Sequence, residues 1–228
     1  MRIANTIQRS QEMSYRNIAI IGILFFALTG ISSAQKSISD LREALSQNPH
    51  DKEILLNLGI AYHNEGVSGD KDAVKKGFAC LDTLLALDPT NAVALAYRGS
   101  LWTLRGRDAW WPFTRMSDVD RGIDEMDKAV DLAPDNVTVR LTRGINSVHL
   151  PSMFKRIGTA EKDFYYLVNM PSFQKLDPGL RSTIYYWSGM AYKQDDQTDK
   201  AKEFFKKAVE TAPGSENANN ASQELKNF

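Results

Sequence analysis

The sequence predicts an all-α protein built from about four repeated helix pairs, and three observations carry that prediction. A glycine recurs with a large apolar or aromatic residue three or four positions later: Gly59 with Tyr62, Gly99 with Trp102, Gly144 with Val148, and Gly189 with Tyr192. Behind each lies a second stretch with small or apolar residues at i, i+4 and i+7. These are Gly77, Leu81 and Leu84; Gly122, Met126 and Ala129; Ala160, Phe164 and Leu167; and Ala201, Phe205 and Ala208. That period marks one face of an α-helix. The first two units also end alike, in Leu87-Asp88-Pro89 and Leu132-Ala133-Pro134. A glycine inside a helix costs roughly 1 kcal/mol relative to alanine, so one that recurs at the same place implies a close helix crossing.

From the N-terminus, the first element is a leader. Residues 18–28 form an uncharged apolar run preceded by Arg16 and followed by the small residues Ser32-Ser33-Ala34. The run is shorter than the roughly 20 residues that span a bilayer, and its flanks are those of a secretory signal peptide, residues 1–34, cleaved before Gln35. Retention as a membrane anchor is the alternative, and it is the one route by which membrane contact is expected. The protein is therefore expected to be exported, periplasmic or secreted. Residues 35–228 then make one domain. A short amphipathic helix, Ile38 to Leu45, caps the first unit, and the units run over 52–90, 92–135, 137–171 and 182–215. A polar helix over 215–228 closes the array with Ala218, Ala221 and Leu225 as a thin apolar stripe.

Composition narrows the function classes. Twenty-eight Lys and Arg balance 28 Asp and Glu, and without residues 1–34 the counts become 25 and 27, a net charge of −2. That leaves no basic excess for a nucleic-acid backbone. The single cysteine, Cys80, excludes a disulfide framework within the chain and lies in an apolar stretch as a buried thiol.

These markers resemble the tetratricopeptide repeat family. Tyr185, Gly189 and Tyr192, followed by Ala201, Phe205, Ala208 and Pro213, reproduce the 34-residue pattern almost position for position. The third unit is degenerate, with Arg140, Gly144 and Val148. The resemblance extends over about residues 50–214 and implies a right-handed superhelical solenoid that binds a protein or peptide.

Spacing then shows where the chain departs from the plain repeat. Within a unit the markers lie 18, 23, 16 and 12 residues apart, so the first three units carry about 6, 11 and 4 extra residues in the turn between their own helices. Such turns align along one edge of a helix-pair solenoid. That edge is expected to gather Trp110, Trp111, Phe113, Arg107, Arg115 and Arg156. Exposed aromatics beside arginine have the composition of a binding anchor; the competing reading has the aromatics folding inward to plug the gap between units two and three. The concave groove is expected to present His63 and Asn64 from the first unit, Thr103 from the second and His149 from the third. Tyr186, Lys193 and Gln194 follow from the fourth, with Leu56, Ile60, Ser100, Leu141 and Ile145 among them. This groove is neutral, and Leu56 and Ile60 stand where a carboxylate clamp would need polar groups.

No enzymatic constellation is visible. His50, His63 and His149 have no second histidine or cysteine at metal-ligand spacing, and no nucleophile elbow, phosphate loop or zinc-protease motif occurs. Asp118, Asp120, Asp124, Glu125 and Asp127 read as an exposed acidic helix face. The expected function is a non-enzymatic adaptor without cofactor or metal. The alternatives are a binding protein for a small apolar ligand and a structural subunit of an envelope complex.

Overall fold

The computed structural model describes residues 37–228, so the expected leader lies outside the described residues. Ten α-helices follow one another: α1 (Ile38–Gln47), α2 (Lys52–Val67), α3 (Lys71–Leu87), α4 (Ala92–Asp108), α5 (Pro112–Leu132), α6 (Val137–His149), α7 (Ile157–Asn169), α8 (Pro178–Gln194), α9 (Thr198–Thr211) and α10 (Glu216–Lys226). Single 3₁₀ turns stand at Ser152–Phe154 and Phe173–Lys175. No strand occurs among the described residues. Helices α2 to α9 form four antiparallel pairs in a solenoid, and α1 and α10 close its ends.

Local chemistry sets the helix boundaries. Asp51, Asp70, Asn91, Asn136, Asp177 and Ser215 each accept a backbone N–H of the first turn they precede. Each such cap stabilises its helix by about 1 kcal/mol. Ser37 and Asp40 form a reciprocal capping box on α1. Pro112 and Pro178 occupy first-turn positions, where a missing N–H costs nothing.

The recurring glycines make the crossings that their spacing implies. A Cβ on Gly59 would fall 2.5 Å from Leu81, on Gly99 2.8 Å from Met126, on Gly144 2.9 Å from Phe164, and on Gly189 2.6 Å from Phe205. In every pair the first-helix glycine therefore meets the residue four positions after the second-helix marker. The core falls into two clusters. Helices α1 to α4 supply most of the first, including Leu58, Leu81, Leu84 and Leu101. Helices α6 to α10 supply the second, around Phe164, Trp187 and Phe205. Cys80 is buried in the first cluster, and burial pushes its thiol up to about 11.

The extra residues lie at the expected end of each pair, but in the first two pairs they are helix. Measured against α8 and α9, α2 gains three residues after its glycine and α3 gains three before its marker. Helices α4 and α5 gain four and seven. The turns themselves, 68–70 and 109–111, are three residues long, like 195–197 in the regular pair. Gly69, at φ +107°, supplies the left-handed residue in the first of these turns. Only the third pair has a true loop, 150–156 with its 3₁₀ turn. A helical hairpin satisfies every added backbone group internally, whereas a loop of eleven residues would need its own partners.

The acidic face is also different from the expectation. Asp118 and Glu125 are buried; Asp118 accepts two hydrogen bonds from Arg105 at 2.6 and 2.7 Å, and Glu125 accepts two from Arg98 at 2.8 and 3.0 Å. Asp163, wholly buried, takes one bond from Arg140 and two from Arg143, all at 2.8 Å. Arg105 and Arg121 sandwich the Trp102 ring at 3.8 and 3.9 Å from its centroid. These charges hold neighbouring helices to one another across the outer face.

Candidate binding cavity and aromatic tip

Where the two core clusters meet, the concave side carries a polar seam beneath a cavity of about 160 Å³. His63 of α2, Ser100 and Thr103 of α4, and Asn146 of α6 line the seam. Ser100 Oγ lies 2.7 Å from His63 Nε2, Asn146 Nδ2 donates to Ser100 Oγ at 3.0 Å, and Thr103 Oγ1 donates to Asn146 Oδ1 at 2.8 Å. Burial, reinforced by the Arg107 guanidinium, lowers the His63 pKa to about 4 against the opposing pull of its Asn64 bond. The ring is therefore neutral near pH 7. Its Nδ1 faces Asn64 Oδ1 at 3.2 Å, an acceptor, so Nδ1 carries the proton and Nε2 accepts from the Ser100 hydroxyl. The Tyr97 ring edge-packs on the imidazole at 5.1 Å.

Asn64, His63 and Ser100 thus stand in the order orienter, base and hydroxyl that nucleophilic catalysis uses. The geometry stops short of that chemistry. Ser100 is 2% exposed in the middle of α4, where neighbouring backbone N–H groups are bound within the helix and cannot hold an oxyanion. The arrangement ties α2, α4 and α6 together. Among the described residues no cluster of three histidine, cysteine or carboxylate groups is placed to hold a metal ion.

The cavity wall above the seam is apolar: Leu104, Val119, Ile145 and Leu150, with Met116 and Met153 at the mouth. The two methionines are 42% and 60% exposed. The thioether chains are deformable and form an adaptable rim. Sequence reasoning places Ser100, Thr103 and Ile145 in the groove but misses Asn146, Met116 and Met153. Only their position on the lengthened α5 and the third-pair loop brings the methionines here.

The expected groove is otherwise much reduced. Leu141 and Tyr186 are core residues, the latter edge-packed on Trp187. Helix α10 lies over the last pair: Lys193 pairs with Glu224, and Asn217 donates to Thr183 Oγ1 at 2.8 Å. Gln194 remains exposed beyond it. His149 stands at the cavity rim with its edge on Trp187 at 5.0 Å.

The three edge arginines do not form a free cluster. Arg107 donates to the Gly66 and Val67 carbonyls and pairs with Asp108 at 2.9 Å, clamping the end of α2. Arg115 donates to the Ala109 carbonyl at 2.9 Å and closes the tip of its own hairpin. Arg156 pairs with Asp127 of α5, which also receives Arg143, away from the tip. The aromatics, by contrast, face outward. Trp110 is 89%, Phe113 75% and Trp111 53% exposed, so they do not plug the gap between pairs two and three.

Comparison with known proteins supports the fold. Residues 182–215, the fourth pair, match the tetratricopeptide repeat family model. No curated protein matches the chain. TTC0263, a thermophilic TPR protein of Thermus thermophilus, superposes with a TM-score of 0.67 at 18% identity, over 82% of this chain and 88% of that one. MamA aligns with a TM-score of 0.46 at 24% identity, over 76% and 85% of the two chains.

Proposed function

We propose that the protein is an exported, non-enzymatic adaptor of tetratricopeptide type, and that its partner protein inserts an apolar side chain into the cavity between α2, α4 and α6. The observation that carries this reading is the cavity itself, an apolar well over a satisfied polar seam and rimmed by exposed Met116 and Met153. Its volume suits one large side chain better than a drug-sized ligand, which fills roughly several hundred Å³. The leader, with its uncharged run and small-residue end, supports export. The buried Ser100 hydroxyl, without an oxyanion site, supports a binding role over a catalytic one.

The test is affinity capture from an envelope extract with the wild-type chain and with Met116→Glu combined with Met153→Glu. Both positions are exposed, so the double variant is expected to keep its helical content and melting temperature while losing a discrete captured protein. Capture that survives the double change refutes the cavity as the seat of binding. An extract from which no discrete partner is recovered refutes the adaptor reading.

A further inference from the structure

We infer that the Trp110-Trp111-Pro112-Phe113 tip is a membrane-docking element that seats in the headgroup layer of a lipid bilayer. This inference is independent of what fills the cavity, and it departs from the expectation that only the leader meets a membrane.

Four extra residues on α4 and seven on α5 carry the 109–111 turn roughly 6 to 10 Å beyond a regular pair, and about 1.5 to 6 Å beyond the lengthened first pair, at 1.5 Å of rise per residue. Its rings do not form a small core of their own. The Trp110 and Trp111 centroids are 6.0 Å apart and those of Trp111 and Phe113 6.1 Å, with all three side chains largely open. No ionisable group lies between Ala109 and Thr114. The flanking Arg107 and Arg115 are turned back onto the Gly66, Val67 and Ala109 carbonyls, so the apex enters an apolar layer without desolvating a charge.

Shape and composition distinguish the occupant. An aromatic hot spot for a protein pairs Trp or Tyr with Arg inside a ring of contacts that excludes water, and here both flanking arginines are turned back onto carbonyls. This is a convex point bearing two indoles, each an apolar body with an N–H donor. That chemistry partitions to the water–hydrocarbon boundary, where headgroup oxygens accept the N–H and acyl carbons receive the ring. No described helix is long and apolar enough to cross a membrane, so docking by this element is peripheral.

The experiment uses the full chain with vesicles of phosphatidylethanolamine and phosphatidylglycerol whose acyl chains carry bromine close to the headgroups. The comparison is Phe113→Asp, which puts a charge at the apex and keeps both reporter indoles. Quenching of indole emission is the readout because the leader alone could float the protein. Trp102 and Trp187 are buried and supply an unquenched background. The wild type is expected to show lipid-dependent quenching, and Phe113→Asp to weaken it by about tenfold or more, given the cost of carrying a carboxylate into the boundary layer, with circular dichroism unchanged. Unquenched wild-type emission, or equal quenching in a folded Phe113→Asp protein, overturns the inference. A wild-type dimer that Phe113→Asp dissociates, with no quenching by lipid, overturns it in favour of a protein contact.

Discussion

Gly122→Ala is the most direct probe of how the solenoid is held together. A Cβ at this position would lie 2.5 Å from the Gly99 carbonyl oxygen, 2.7 Å from Thr103 Cγ2 and 3.2 Å from the Thr103 nitrogen. Ordinary contacts begin near 3.4 Å, so α4 and α5 must separate by close to 1 Å. Two of these three obstacles are backbone, and no rotamer change relieves them. Overpacking usually costs about 1–3 kcal/mol, and this site belongs at the upper end, about 3 kcal/mol. For a domain of this size that lowers Tm by roughly 6 to 12 °C. Thr103 would be displaced from Asn146, so the cavity is expected to distort as well. Gly158→Ala is the control: nothing lies within 4 Å of its added Cβ, and it should stabilise α7 by up to about 1 kcal/mol. Urea and thermal unfolding followed by circular dichroism measure both. A Gly122→Ala protein within about 1 kcal/mol of wild type would refute the close crossing as the reason for the glycine.

Further outcomes follow from the polar groups. Asp163→Ala leaves Arg140 and Arg143, each 13% exposed, without their shared carboxylate, and should cost about 3–5 kcal/mol in chemical denaturation. Asp72→Ala, which breaks an exposed pair with Lys75, should leave the denaturation midpoint essentially where it is. His63 is held neutral, with a folded pKa of about 4 against 6.5 when free, so its contribution is fully present above pH 6.5 and is lost as pH falls towards 4. Between about pH 6.5 and 5 the wild type should lose about 1.5 kcal/mol relative to His63→Gln, the slope rising from half of about 1.36 kcal/mol per pH unit at pH 6.5 towards its full value. Parallel acid profiles for the two proteins in that window would contradict a buried neutral ring.

The helix pairs are legible in the sequence because their signals are local. Gly77, Leu81 and Leu84, or Ala201, Phe205 and Ala208, lie at fixed intervals of four and three, and a period of about 3.6 carries them to one face. The conformation of the added residues is not legible, since a count between Gly99 and Gly122 says how many residues intervene and nothing of their dihedral angles. Asp118 and Glu125 read as a solvated face for a related reason. Their arginine partners stand 13 and 27 residues away, and only the packing of neighbouring helices brings them together. The last pair reads as open at Tyr186 and Lys193 because the register of α10 across α8 has no one-dimensional signature.

The way the second pair is lengthened has a consequence for how such arrays diversify. Gly106 lies seven residues after Gly99, and Arg115 seven before Gly122. A Cβ on Gly106 would fall 3.0 Å from the Arg115 carbonyl, so the Gly99–Gly122 contact is repeated two turns further along. Seven residues is nearly two full turns and four is just over one. Segments of those lengths prolong a hairpin without rotating either helix against its partner. Growth in units commensurate with the helical pitch lets an array extrude a new appendage while every older contact keeps its phase.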